Sequence, residues 1–293
     1  MLSILHKPKA DLSINLDDVV IYPGDTVKVK LRLTPQENFH IRSGTIELTC
    51  TEVYWKVVTY YTHSKYGSTM HRRNQPCTNR LVQQKKRFLD ITDASNGMSL
   101  SQDVSFDIPN NALPSIDGNT ANITWELKAK LDIAKLRDVH ANQVVMVRPF
   151  PLAIPVDESG HIAGSSVVNR SYDACDLSLT LDTGSIGAGE SLRGAFETQV
   201  KKPFKARQVR VELEVSEEAG SKSSKTVMDR ALLENERITF NGADYRRWEF
   251  ALKVPQSLPT MSAGSTKVHW RVKGILDERL SQDHWIEKDI QVY

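Results

Sequence analysis

Hydrophobic and polar residues alternate with a period of two along most of this chain. Val27, Val29, Leu31 and Leu33 are interleaved with Lys28, Lys30 and Arg32, and Val104, Phe106 and Ile108 with Asp103, Ser105 and Asp107. Val209, Val211, Leu213 and Val215 are interleaved with Arg210, Glu212 and Glu214. Because successive side chains of a strand point to opposite faces, each run predicts a strand with one apolar and one wet face. The longest run has Ile123, Trp125, Leu127, Ala129 and Leu131 opposite Thr124, Glu126, Lys128 and Lys130. A matching run places Val268, Trp270, Val272 and Leu276 opposite His269, Arg271 and Lys273. Strands that are wet on one side and apolar on the other pack as antiparallel sheets face to face. The best helical candidate, Val227 to Glu236, reads equally well as a strand. Pro23-Gly24 suits the two central positions of a type II turn. The expected fold class is all-β.

The pattern occurs twice. Asp11-Leu12-Ser13-Ile14-Asn15-Leu16-Asp17 returns 165 residues later as Asp176-Leu177-Ser178-Leu179-Thr180-Leu181-Asp182. Gly24-Asp25 returns as Gly189-Glu190, Phe39 and Arg42 as Phe204 and Arg207, and Glu47-Leu48 as Glu212-Leu213. Further on the offset is 145: Leu113-Pro114 falls on Leu258-Pro259, Trp125 on Trp270, Lys128 on Lys273, and Leu131-Asp132 on Leu276-Asp277. The first copy therefore carries about 20 more residues between the two blocks. The expected organisation is an N-terminal β-sandwich over 1–148, a Pro-, Gly- and Ser-rich linker over 149–173, and a second β-sandwich over 174–293. A chain of 293 residues can give each half its own core without disulfides or metals.

Three blocks together resemble the arrestin-fold superfamily, which includes arrestins, a retromer cargo-binding subunit and bacterial sporulation-control proteins. The first is the turn Tyr22-Pro23-Gly24-Asp25-Thr26-Val27, echoed by Gly187-Ala188-Gly189-Glu190-Ser191-Leu192-Arg193-Gly194, which keeps a later Gly that the first copy lacks. The second is Phe106-Asp107-Ile108-Pro109 with Leu113-Pro114-Ser115, echoed by Leu252-Lys253-Val254-Pro255 with Leu258-Pro259-Thr260. The third runs from Ile123-Thr124-Trp125 to Leu131-Asp132, echoed from Val268-His269-Trp270 to Leu276-Asp277. The resemblance implies two immunoglobulin-like, arrestin-type sandwiches in tandem and the general role of a non-catalytic adaptor that binds protein partners. There is no Pro-Pro-x-Tyr motif, so recruitment of a ubiquitin ligase is not implied. Tyr293 directly follows the expected last strand, so the long regulatory tail of receptor-binding arrestins is not expected.

One segment stands apart in charge. Val53 to Leu89 contains no Asp or Glu but eight Lys and Arg, so it carries +8 in a chain whose formal net charge is +2. It also holds Tyr54, Trp55, Tyr60, Tyr61 and Tyr66, and most of the extra length of the first copy. The segment reads as a basic hairpin or loop for an anionic partner, with Lys65, Arg72, Arg73, Arg80, Lys85, Lys86 and Arg87 as candidate binding residues. Anionic membrane, phosphorylated partner and nucleic acid are the candidate classes, nucleic acid the weakest. The competing reading is a solvated loop with no ligand.

Other chemistry is thin. His63, His71 and Cys77 fit no common zinc spacing, so no metal or cofactor is expected. Cys50 follows Ile46 and Leu48 on an apolar face and reads as a core thiol, while Cys77 sits among cations that favour its thiolate. The strand-end Asp17-Asp18, Asp132 and Asp277 read as turn caps rather than paired glycosidase carboxylates. His40 and His161 read as loop histidines without a specific signal. No GxSxG, P-loop or GxGxxG motif is present, and the chain is expected not to be an enzyme. Trp125 and Trp270 read as a matching pair of core residues. Three scattered cysteines, no apolar run of about 18 residues and no signal-peptide pattern near Lys7 and Lys9 lead to an expected cytoplasmic location, peripheral to the membrane if the basic segment binds lipid.

Overall fold

A computed structural model describes residues 6, 8–18, 20–149, 166–256, 258–278 and 282–293. Every regular element among them is a strand. The chain divides into two compact units, one made of Met1–Val53, Pro76–Asp117 and Asn122–Phe150, the other of Tyr54–Gln75, Gly118–Ala121 and Pro151–Tyr293. The expected linker falls largely outside the described residues, as does His161; Ser166–Ser171, at its end, is a strand.

The strands that begin in the first half are β1 (Ala10–Leu16), β2 (Thr26–Pro35), β3 (Phe39–Ser64), β4 (Gly67–Leu89), β5 (Thr92–Ala94), β6 (Leu100–Asp107), β7 (Ile116–Asp117), β8 (Asn122–Ile133) and β9 (Val139–Val145). One sheet has the order β1-β2-β6. The facing sheet has the order β4-β3-β8-β7, with β5 added on β3 and β9 on β8. The apolar residues of the alternating runs meet between the sheets. Leu33 from the first packs with Phe39, Ile41, Leu131, Ile133 and Val139 from the second. Val27, Val29, Leu31 and Phe106 are buried, and Lys28, Lys30 and Arg32 are exposed, as the period of two requires.

The second half contributes β10 (Ser166–Ser171), β11 (Cys175–Leu181), β12 (Ser185–Ile186), β13 (Ser191–Val200), β14 (Phe204–Ala219), β15 (Lys222–Glu234), β16 (Ile238–Phe240), β17 (Tyr245–Lys253), β18 (Met261–Ala263), β19 (Thr266–Glu278) and β20 (His284–Val292). The order β10-β11-β13-β17 faces the order β12-β20-β19-β14-β15, which also carries β16 on β14 and β18 on β19. Phe196 of β13 lies so close to Gly274 of β19 that a Cβ there would sit 2.7 Å from the ring. The segment that offered the best helix forms most of β15, where its alternating exposure follows the pairing with β14.

Local geometry bears out the turn reading. Gly24 has φ +88°, Asp25 N–H donates to the Tyr22 carbonyl (3.1 Å), and Tyr22 N–H donates to the Asp25 carboxylate (2.8 Å). Only glycine reaches that φ cheaply, which is why it occupies the third position of a type II turn. Gly189 has φ +89°, with Glu190 N–H donating to Gly187 and Gly187 N–H to the Glu190 carboxylate.

Three expectations are corrected. Glu212 and Glu214, placed on the wet face by alternation, are buried. Their charge is matched at once: Glu212 pairs with Arg210 (2.9 Å) and Arg230 (2.8 Å), Glu214 with Lys225 (2.6 Å), and the basic stems cover the carboxylates. Asp132 and Asp277 do not cap turns. Arg42 and Arg207 occupy register shifts in β3 and β14, where one extra residue stands against the partner strand. Arg42 reaches Asp132 (2.8 Å), and Arg207 together with Arg210 (2.9 Å) holds Asp277. His40 lies in β3, not in a loop, with Nδ1 2.6 Å from the Asp93 carboxylate.

Candidate functional site

The acid-free segment folds as a single antiparallel hairpin, β3 followed by β4, turning through Lys65 and Tyr66. Its turn is closed by Ser64 Oγ, which donates to the Gly67 carbonyl (3.2 Å) and accepts from Tyr66 N–H (3.2 Å). Gly67 has φ +131°, open to glycine and strained for other residues. The counterpart in the second half is the β14–β15 hairpin. β3 is 26 residues long against 16 for β14, and β4 is 23 against 13 for β15. Ten extra residues in each arm account for the fall in sequence offset from 165 to 145. The added length forms regular strand.

β4 lies at the edge of its sheet. Pro76 in its middle lacks an N–H, which an edge strand tolerates and a central strand does not. An exposed strand edge invites pairing with another chain, and cations along it limit indiscriminate pairing.

The seven candidate cations all lie on this hairpin, but their surroundings differ. Arg72, Arg80 and Lys85 are exposed and make no ion pair among the described residues. Lys65 lies over the Tyr66 ring (5.0 Å) and Arg73 over Tyr60 (5.5 Å), whose other neighbour is the stacked ring of His71 (5.1 Å). His71 Nε2 is 2.8 Å from Thr62 Oγ1. Toward the base, Lys86 sits over the buried Phe106 ring (5.4 Å), and Arg87 pairs with Asp90 (3.1 Å) and donates to the Arg42 carbonyl (3.4 Å). The last two are thus engaged by the protein itself, Arg87 by Asp90 just past the acid-free stretch and Lys86 by Phe106 of β6. Composition pointed to the segment as a whole and could not separate engaged cations from open ones.

Cys50, Cys77 and Cys175 are joined by no disulfide among the described residues. Burial, with the Glu52 charge adding to it, pushes the Cys50 thiol up to about 12, and burial pushes Cys175 to about 11. Among the described residues no three His, Cys, Asp or Glu side chains converge as a metal ion requires. No helix among them is long and apolar enough to cross a membrane.

Comparison with curated proteins finds no match. A family match exists: "Arrestin (or S-antigen), C-terminal domain" covers residues 7–154. That span holds β1 through β9, with the type II turn, the bulge at Arg42 and the buried Trp125. Half of the sequence thus carries the family's pattern on a two-sheet antiparallel framework, and the chain belongs to the arrestin family.

Proposed function

We propose that this protein is a non-catalytic adaptor of arrestin type, built from a duplicated sandwich, that holds protein partners and uses its β3–β4 hairpin to engage an anionic one. The observation that carries the reading is the hairpin itself. Ordered strand extends ten residues per arm beyond its counterpart, with no acidic residue and with an open edge. Loops and edges positioned by a rigid framework are where binding residues concentrate. Arg72, Arg80 and Lys85 keep their charges available, whereas a purely structural strand gains nothing from excluding acids over its length. The duplicated strand-end carboxylates Asp132 and Asp277 are held by arginines. A cytoplasmic location agrees with three cysteines that form no disulfide among the described residues.

The test is affinity capture from the source cell, with wild type compared against the Arg72→Gln/Arg80→Gln/Lys85→Gln variant. Partners that co-purify with wild type and are depleted by the variant support the reading. Reproducible recovery of no partner, or an identical partner set from both proteins, counts against it.

A further inference from the structure

We infer that the anionic partner of the hairpin tip is the surface of an anionic phospholipid bilayer, an inference that rests on the reading above and names its ligand. Large apolar or aromatic side chains of the hairpin face solvent: Tyr61 is 60% exposed, Tyr66 88% and Met70 50% close to the turn, and Val57, eight residues before it on the same strand, 54%. Val57 and Tyr61 are four residues apart on one strand and so share a face, Met70 is on the returning strand, and Tyr66 is at the turn. Exposed apolar groups of this size, gathered at the end of one element, mark a contact surface. Around them stand Lys65, Arg72 and Arg73, with no carboxylate in the segment.

The placement of the cations decides which anionic partner fits. Arg72 and Arg73 are adjacent on a strand, so they project to opposite faces and cannot close on one phosphate group as a bidentate clamp would. A phosphopeptide site needs such convergence. Nucleic acid stacks successive bases on a run of free aromatic faces, whereas here Tyr60 is covered by His71 and Arg73 and Tyr66 carries Lys65 over its ring, which leaves Tyr61 as the one open ring of the three. A bilayer asks for neither. Its charge is spread laterally, so cations on both faces of a narrow hairpin all find headgroups, while tyrosine and methionine settle at the glycerol level. Depth is limited by the backbone. The edge of β4 carries unpaired polar groups that hydrocarbon would not solvate, so the tip rests at headgroup depth without entering the acyl core.

The test is co-sedimentation of the full chain with phosphatidylcholine–phosphatidylglycerol vesicles and with phosphatidylcholine alone. Wild type should bind only the anionic vesicles and be released by high salt. Each cation near such a surface is worth about fivefold in partition, so Lys65→Gln/Arg72→Gln/Arg73→Gln should bind about a hundredfold more weakly. Tyr61→Ser/Met70→Ser should lose about tenfold at unchanged charge. Lys28→Gln/Lys30→Gln, which neutralises exposed cations of β2, should stay within about twofold of wild type. Equal losses in the β2 variant would mean diffuse charge and overturn the inference. So would failure of wild type to bind anionic vesicles while it binds a phosphopeptide or an oligonucleotide; in that case the adaptor reading stands with a different ligand. Failure to bind an anion of any of these classes would bring down the inference and the hairpin part of the reading together. Binding of wild type to anionic vesicles needs no variant, so its absence overturns the inference even if a substituted protein misfolds.

Discussion

Trp270 donates its indole N–H to the carbonyl oxygen of Leu258, twelve residues earlier, at 2.7 Å in a fully buried site. Trp125 makes the same bond to Leu113, also twelve residues earlier, at 2.9 Å. Both donors and both acceptors are related by the same offset of 145. Each bond ties a central strand, β8 or β19, to the Leu-Pro segment that precedes it. Replacing Trp270 with Phe removes the donor, strands a buried carbonyl and leaves part of the indole volume empty. The expected loss is about 2–4 kcal/mol for Trp270→Phe and a similar loss for Trp125→Phe, read by urea denaturation.

Asp277 sets an acid limit on stability. Burial pushes its carboxyl up, but hydrogen bonds from Arg207 and Arg210 outweigh burial and hold it below its ordinary value of 3.8. A carboxyl depressed in the folded state contributes stability that is present above the unfolded pKa. That contribution is lost as pH falls through the folded pKa. Asp277→Asn should therefore cost about 2–3 kcal/mol at pH 7. Below pH 3.8 the gap between wild type and variant should shrink, as seen in denaturation midpoints across an acid pH series.

The thiols should divide by burial. Cys50 and Cys175 are fully buried with pKa values of about 12 and 11, so almost no thiolate forms at neutral pH. Iodoacetamide at pH 8 should label Cys77 in the native protein and all three cysteines after unfolding, counted by intact mass. Native labelling of Cys50 would contradict its place in the core.

Gly194 answers a question left by the sequence, namely why only the second copy keeps that glycine. A Cβ there would lie 2.3 Å from the Thr180 carbonyl and 2.8 Å from the Phe250 ring. Gly194 pairs with Phe250 across β13 and β17, whereas in the first half Val29 pairs with Val104 across β2 and β6. One small and one large residue replace two of middle size. Gly194→Ala should destabilise by about 1–3 kcal/mol in thermal or urea unfolding, and Gly194→Ala/Phe250→Val should recover part of the loss.

Much of the fold was legible from short-range pattern. A period of two puts Val27, Val29, Leu31 and Leu33 on one face whatever lies opposite, so strand identity and the buried side could be read directly. Positive φ is a local demand, so Gly24 and Gly189 announced their turns. The candidate site was legible only as a segment. Absence of acids singled out residues 53–89, but whether a cation is open or engaged depends on what lies against it in the fold: Phe106 of another strand beneath Lys86, and Asp90 beside Arg87. The same limit hid the burial of Glu212 and Glu214, since alternation assigns a face and says nothing about what covers it.

By itself the sequence determined the all-β character, the two turns, the pair of core tryptophans and the charge of the hairpin, because each follows from the order of neighbouring residues. Tertiary structure decided which strand pairs with which, where Arg42 and Arg207 bulge out to meet Asp132 and Asp277, and which cations remain open. These depend on contacts between residues tens of positions apart, and the energy of such a contact exists only once the chain has closed the loop that brings them together.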